Sequence, residues 1–237
     1  MKKVIMLLLI MGFILGLLTA CAGESATSSA DEEVEETVED IVEDVIEEYE
    51  TDAEADTVED VTVEHSVMEN IDYVVEMDIE GFGTITIGLD ATYAPITVEN
   101  FVSLVDEGFY DGLTFHRIIE GFMIQGGCTY GNGAGGSENH IIGEFRSNGV
   151  DNPGRHYRGA ISMARTPDPN SASSQFFIVH EDYFFLDDDY AVFGHVLSGM
   201  EVVDAIVDTV EVVPGSDGAV MPANQPVIRL AIVTERR

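Results

Sequence analysis

From Asp72 to the C-terminus, apolar residues recur at every second position in short runs, and glycines punctuate those runs. Strand side chains alternate between faces, whereas helical ones repeat every 3.6 residues, so this pattern directs the segment to a mainly β fold. Tyr73, Val75, Met77 and Ile79 make one run and Ile85, Ile87 and Leu89 the next, and Gly81-Phe82-Gly83 between them signals a hairpin. Thr114–Ile119, Phe122–Gln125, Gly159–Met163, Gln175–Val179, Val192–Val196 and Val227–Val233 read as further strands. Helical spacing occurs only twice in this segment. Pro95 stands at a first-turn position ahead of Val98, Phe101, Val102 and Val105, with Gly108 as the stop. Met200, Val203, Ile206 and Val207 mark the second helix. Many strands with two helices suggest a closed antiparallel barrel with helical plugs. A segment of about 165 residues is ample for one continuous core.

The first 70 residues have a different character. Met1-Lys2-Lys3 is a cationic start, Val4–Leu18 an apolar run, and Leu18-Thr19-Ala20-Cys21 its close. The run is shorter than a comfortable spanning helix and reads as a signal peptide over residues 1–20. Leu-Thr-Ala-Cys is similar to the lipobox of bacterial lipoproteins, and this resemblance implies lipidation of Cys21, anchoring to the cell membrane and an extracytoplasmic location. Gly23–Ala30 has linker composition, and Asp31–Tyr49 interleaves carboxylates with Val34, Val38, Ile41, Val42, Val45 and Tyr49 at helical spacing. Residues 21–70 are therefore expected to be an acidic, largely disordered stalk, about 40 Å between its ends and extended further by charge repulsion. A docking or self-association helix is the competing reading.

The formal net charge is −35, and no lysine or arginine lies between Lys3 and Arg117. Nucleic acid is excluded as a partner, as is adhesion to anionic lipid through a basic patch, because both need clustered cations. Cys128 is left as a lone thiol, read as buried filler rather than a reactive group. The six histidines include no zinc-type i, i+4 pair and there is no Cys/His cluster, so neither a metal nor a cofactor is expected. Gly131–Gly136 lacks the Gly-Lys-Ser/Thr ending of a phosphate loop and reads as a flexible surface loop. Asp187-Asp188-Asp189 lacks calcium-loop spacing and reads as a solvated turn. No Gly-x-Ser-x-Gly elbow supports a serine hydrolase.

Four segments carry chemistry together: Phe115-His116-Arg117-Ile118-Ile119, Gly121-Phe122-Met123-Ile124-Gln125-Gly126-Gly127, Ile161-Ser162-Met163-Ala164-Arg165 and Ser173-Ser174-Gln175-Phe176-Phe177-Ile178. In order and spacing they closely resemble the cyclophilin family of peptidyl-prolyl cis-trans isomerases, and Val192-Phe193-Gly194 fits as well. The resemblance covers essentially the whole of residues 72–237, and the isomerase-like domain is placed at 71–237. It implies a closed eight-stranded antiparallel barrel capped by two helices, with substrate in a groove on the outer face. It implies Arg117 as the catalytic arginine, with Phe122 and Gln125 beside it. Met123, Phe177 and Leu186 complete a proline pocket with Phe122, Ala164 and Arg165 contact the residue before proline, Gln175 finishes the polar wall, and Phe185 and Tyr190 stand at the rim. His116 is read as structural. Phe185, Tyr190 and Arg165 replace the tryptophan, histidine and asparagine of well-known eukaryotic members, as in bacterial ones, which implies weaker binding of cyclosporin-type ligands. The expected partners are proline-containing segments of exported proteins, acted on by a monomeric catalytic domain. A holdase or adhesion module that grips such segments with little turnover is the alternative.

Overall fold

A computed structural model describes residues 70–237; the expected signal peptide, Cys21 and nearly all of the expected stalk lie outside them. Eight strands and two helices follow in the order β1 (Tyr73–Ile79), β2 (Gly83–Leu89), α1 (Pro95–Asp106), β3 (Arg117–Ile119), β4 (Met123–Gly126), β5 (Ala160–Met163), β6 (Phe176–Val179), β7 (Val192–Ser198), α2 (Met200–Thr209) and β8 (Ile228–Arg236). The strands form one antiparallel sheet ordered β3-β4-β6-β5-β7-β2-β1-β8. The Gly81 turn is a three-residue loop closing Ile79 onto Gly83, with φ of 77° at Gly81. Val75, Met77, Ile79, Ile85, Ile87 and Leu89 from this hairpin are fully buried, as their alternation requires.

The sheet curls into a half-barrel and is not closed, contrary to the sequence-based expectation. A closed barrel needs β3 to pair with β8, but β3 has only three residues and its free edge is occupied. The Ile118 N–H donates to the Gly218 carbonyl at 2.8 Å, and the Val220 N–H to the His116 carbonyl at 3.0 Å. Residues 218–220 thus take the place of the missing neighbour. A single bridge, Thr114 to Val227, links the segments preceding β3 and β8.

Alternation assigns the two faces of the sheet to two cores. Phe176 and Ile178 of β6 enter the large core inside the curl, with Phe101, Tyr110, Phe115 and Phe193. Phe177 and Val179 point the other way and build a smaller cluster with Met123, Ala160, Leu186 and Val192. Helix α1 packs against β7 and β8, and α2 against β2. The first turn of α1 contains no acidic residue, and its exposed N–H groups are met from a distance instead. The buried Glu144 carboxylate accepts from the Ile96 N–H (3.1 Å), the Thr97 N–H (2.7 Å) and the Thr97 hydroxyl (2.7 Å).

Candidate active site

Strand register lines up a row of side chains on the outer face. Arg117 of β3 lies opposite Gln125 of β4, Gln125 opposite Phe177 of β6, and Phe177 opposite Ser162 of β5. Facing positions in adjacent strands point to the same side, so four separate sequence segments meet in one place. Around this row lies an open hollow of about 140 Å³. Phe122, Met123, Phe177 and Leu186 line it with apolar surface; Arg117 and Gln125 line it with polar groups. Ala164, Arg165 and Tyr190 belong to the same wall. A second hollow of about 110 Å³ shares Gln125, Ala164 and Arg165 and includes Gln175. Phe185 lines neither. It sits in the tight turn Phe184–Leu186, where successive side chains diverge by about a third of a revolution. Leu186 faces in, and Phe185 is left 87% exposed.

Arg117 is held from three sides. Its Nε donates to the Asp217 main-chain carbonyl (2.9 Å), one terminal nitrogen to the Asp217 carboxylate (2.6 Å), and the other to Gln125 Oε1 (3.4 Å). Its guanidinium carbon is 5.8 Å from the centre of the Phe122 ring. Gln125 Nε2 donates to Gln175 Oε1 at 2.9 Å, and Gln175 Nε2 donates to the carbonyls of Gly133 (2.9 Å) and Gly135 (2.7 Å). The guanidinium is thereby fixed to the hollow through a chain of amides. The Gly131–Gly136 segment, expected to be a flexible loop, wraps the buried Cys128 sulfur, which accepts N–H groups from Gly133 and Gly135 at 3.2 Å each. Burial pushes that thiol up, but the backbone N–H groups of Asn132, Gly135, Tyr130 and Gly133 outweigh it and leave its pKa below the ordinary value.

Beneath the hollow lies a buried relay absent from the sequence-based expectations. His156 Nδ1 is 2.9 Å from the Asp187 carboxylate and Nε2 is 3.1 Å from the Ser162 hydroxyl. Burial lowers the His156 pKa, so the ring is neutral near pH 7, donating from Nδ1 and accepting at Nε2. Hydrogen bonds from the His156 backbone, the His156 ring and Arg155 hold the Asp187 carboxyl below its ordinary range, against the upward push of its own burial. The pattern resembles a nucleophile relay, but Ser162 is fully buried, so its hydroxyl is not presented to the hollow as a nucleophile's must be. The relay's role is support. The His156 ring stacks on Phe177 at 5.8 Å, and Asp187 closes the turn that carries Leu186. Asp187 is therefore no solvated residue, unlike its exposed neighbours Asp188 and Asp189.

The arrangement offers a fixed cation beside an apolar hollow, with neutral amides along the wall. The family model described as "Cyclophilin type peptidyl-prolyl cis-trans isomerase/CLD" matches residues 74–232. The chain belongs to the cyclophilin family. Among relatives, a Helicobacter pylori peptidyl-prolyl cis-trans isomerase is 46% identical over 126 residues, covering 52% of this chain and 75% of its own length. Peptidyl-prolyl cis-trans isomerase B of Bacillus subtilis is 51% identical over 108 residues, covering 46% of this chain and 72% of its own. A crystal structure of a Cryptosporidium parvum cyclophilin type isomerase, determined in the presence of the dipeptide Ala-Pro, superposes with a TM-score of 0.60 at 25% identity, covering 69% of this chain and 99% of that one. This cyclophilin is accordingly a peptidyl-prolyl cis-trans isomerase. Sequence reasoning missed Asp217, His156, Ser162 and Tyr183, whose ring lies 4.3 Å from that of Phe122. Only Gly218 hinted at the first: its φ is 76°, and a Cβ there would come within 2.5 Å of the Ile118 carbonyl.

Proposed function

We propose that Arg117 performs the isomerisation by donating a hydrogen bond to the prolyl nitrogen as the X–Pro bond twists. Rotation must break amide resonance across a barrier of about 18–20 kcal/mol. In the twisted form the nitrogen regains a lone pair, so a donor fixed against it binds the transition state better than the planar ground state. The supporting observation is a guanidinium tethered to Asp217 and Gln125 beside the apolar wall of Phe122, Met123, Phe177 and Leu186. The wall holds the proline ring and excludes water that favours the polar planar amide, Gln125 bonds the substrate backbone, and Ala164, Gln175 and Tyr190 bound the rest of the groove. No covalent intermediate is required.

A net hydrogen bond to a charged group contributes about 1.5–3 kcal/mol, and about 1.4 kcal/mol is tenfold in rate. Arg117→Ala is therefore expected to lower kcat/KM by about ten- to a hundredfold, with the fold unchanged by circular dichroism. Activity within twofold of wild type in a proline-isomer exchange assay would remove Arg117 from the mechanism.

The clients we infer are exported proteins. The Leu-Thr-Ala-Cys sequence supports lipidation at Cys21 after removal of residues 1–20, with residues 21–70 as a stalk carrying the isomerase domain of residues 71–237 outside the cytoplasmic membrane. The expected outcome is that Cys21→Ala moves the protein from the membrane fraction to the soluble fraction and abolishes lipid labelling. Unchanged membrane partition would rule out anchoring through this cysteine.

A further inference from the structure

The two arginines of the hollow differ in one respect. Arg117 is matched by the Asp217 carboxylate, and so, by one or more carboxylates, is every other arginine among the described residues except Arg165. In a chain of net charge −35, the one arginine among the described residues that lacks a described carboxylate partner lies where both hollows meet. Neutral acceptors hold it in place. Nε and one terminal nitrogen donate to the Asp189 carbonyl (3.0 and 2.9 Å), and the other terminal nitrogen to the Thr166 carbonyl (3.0 Å). The Tyr190 and Phe145 rings lie 4.7 and 4.9 Å from the guanidinium carbon. Carbonyls and ring faces orient the group without neutralising its charge. A guanidinium has five N–H donors, so some remain unspent.

The second hollow suits the same chemistry. Besides Arg165 its polar lining comes from Gln125, Thr166, Ser171, Ser173 and Gln175, all neutral. The complement of an unmatched cation among hydroxyls and amides is a carboxylate. The surrounding negative charge opposes an acidic ligand at long range, but at physiological ionic strength the Debye length is about 8 Å, so the contact at Arg165 decides.

Resting on the isomerase reading of the first hollow, we propose that Arg165 makes the enzyme prefer proline segments with a Glu or Asp side chain about one to three residues from the proline, the reach set by the chain's span of ~3.3–3.6 Å per residue. The test uses the full-length chain and tetra- to hexapeptide pairs that differ only by Glu or Gln at each position flanking one proline. At about 0.15 M ionic strength, where long-range repulsion is screened, at one or more positions the Glu peptide is expected to be isomerised with kcat/KM about three- to tenfold above its Gln partner, the ratio shrinking at about 0.5 M NaCl. Arg165→Gln should bring the ratio to one, Arg165→Lys should retain part of it, and Arg165→Glu should reverse it. A wild-type ratio of one at every position, or a ratio unchanged in Arg165→Gln, overturns the proposal while acceleration of the Gln peptides still upholds the isomerase reading. Failure of wild type to accelerate any peptide overturns both.

Discussion

Arg117 shows how one residue satisfies two readings at once. In so acidic a chain an arginine is ordinarily a surface ion-pair partner, and Arg117 does pair with Asp217. The pairing also aims it, because the same aspartate supplies a main-chain carbonyl to Nε. A stricter residue-scale test concerns His116, whose buried ring nitrogens make no well-formed hydrogen bond among the described residues, the Thr114 backbone offering only a weak one. Burial first, and the neighbouring Arg117 charge second, lower its pKa to about 4. The unfolded chain protonates histidine near 6.5, so between these values the unfolded state binds more protons than the folded one. The histidine's contribution is complete above pH 6.5 and is lost as pH falls toward 4. Other groups titrate over the same range, so the informative quantity is the difference between wild type and His116→Gln. That difference should move against wild type by about 1–2 kcal/mol between pH 7.5 and pH 5 in urea unfolding. A difference independent of pH would mean that the ring is already paired.

At the scale of elements, what was legible in the sequence is what local pattern dictates. The β1–β2 hairpin follows from alternation and a glycine turn, and α1 from its apolar spacing between Pro95 and Gly108. The four motif segments meet because strand register places Arg117, Gln125, Phe177 and Ser162 in one row, though nothing local to any strand names its neighbour. Closure of the barrel was misread for that reason: residues 218–220 occupy the edge of β3 from a hundred positions away, and no periodicity reports it. Phe185 and Leu186 were both assigned to the groove, whereas a tight turn sends consecutive side chains apart. The cap of α1 is equally nonlocal, since Glu144 reaches the Ile96 and Thr97 N–H groups across 48 and 47 positions. Glu144→Gln would leave an oxygen for one set of donors, turn an amide N–H₂ toward the other and remove charge from the positive end of the helix. The expected cost is about 1–3 kcal/mol in denaturant unfolding. A change below 0.5 kcal/mol, at or under the ordinary net worth of one hydrogen bond, would show that the carboxylate is dispensable.

Across the whole molecule, charge is the unusual quantity. At −35 the chain repels itself, and the exposed ion pairs of the described residues, such as Arg236 with Asp106 and Arg229 with Asp78, return little because water and salt screen them. Screening acts on both, but the excess of carboxylates over arginines means repulsion is the larger sum. Added NaCl should therefore stabilise the fold, although the same salt weakens each ion pair. The Debye length falls from about 10 Å at 0.1 M to about 3 Å at 1 M, so most of the gain should arrive below roughly 0.3 M and then flatten. A general exclusion effect of salt would instead rise steadily with concentration. Unfolding midpoints between 0.02 and 1 M NaCl separate the two by curvature. A midpoint that falls with salt would mean that the ion pairs outweigh the repulsion, and that the acidic surface is organised around its arginines rather than merely tolerated by them.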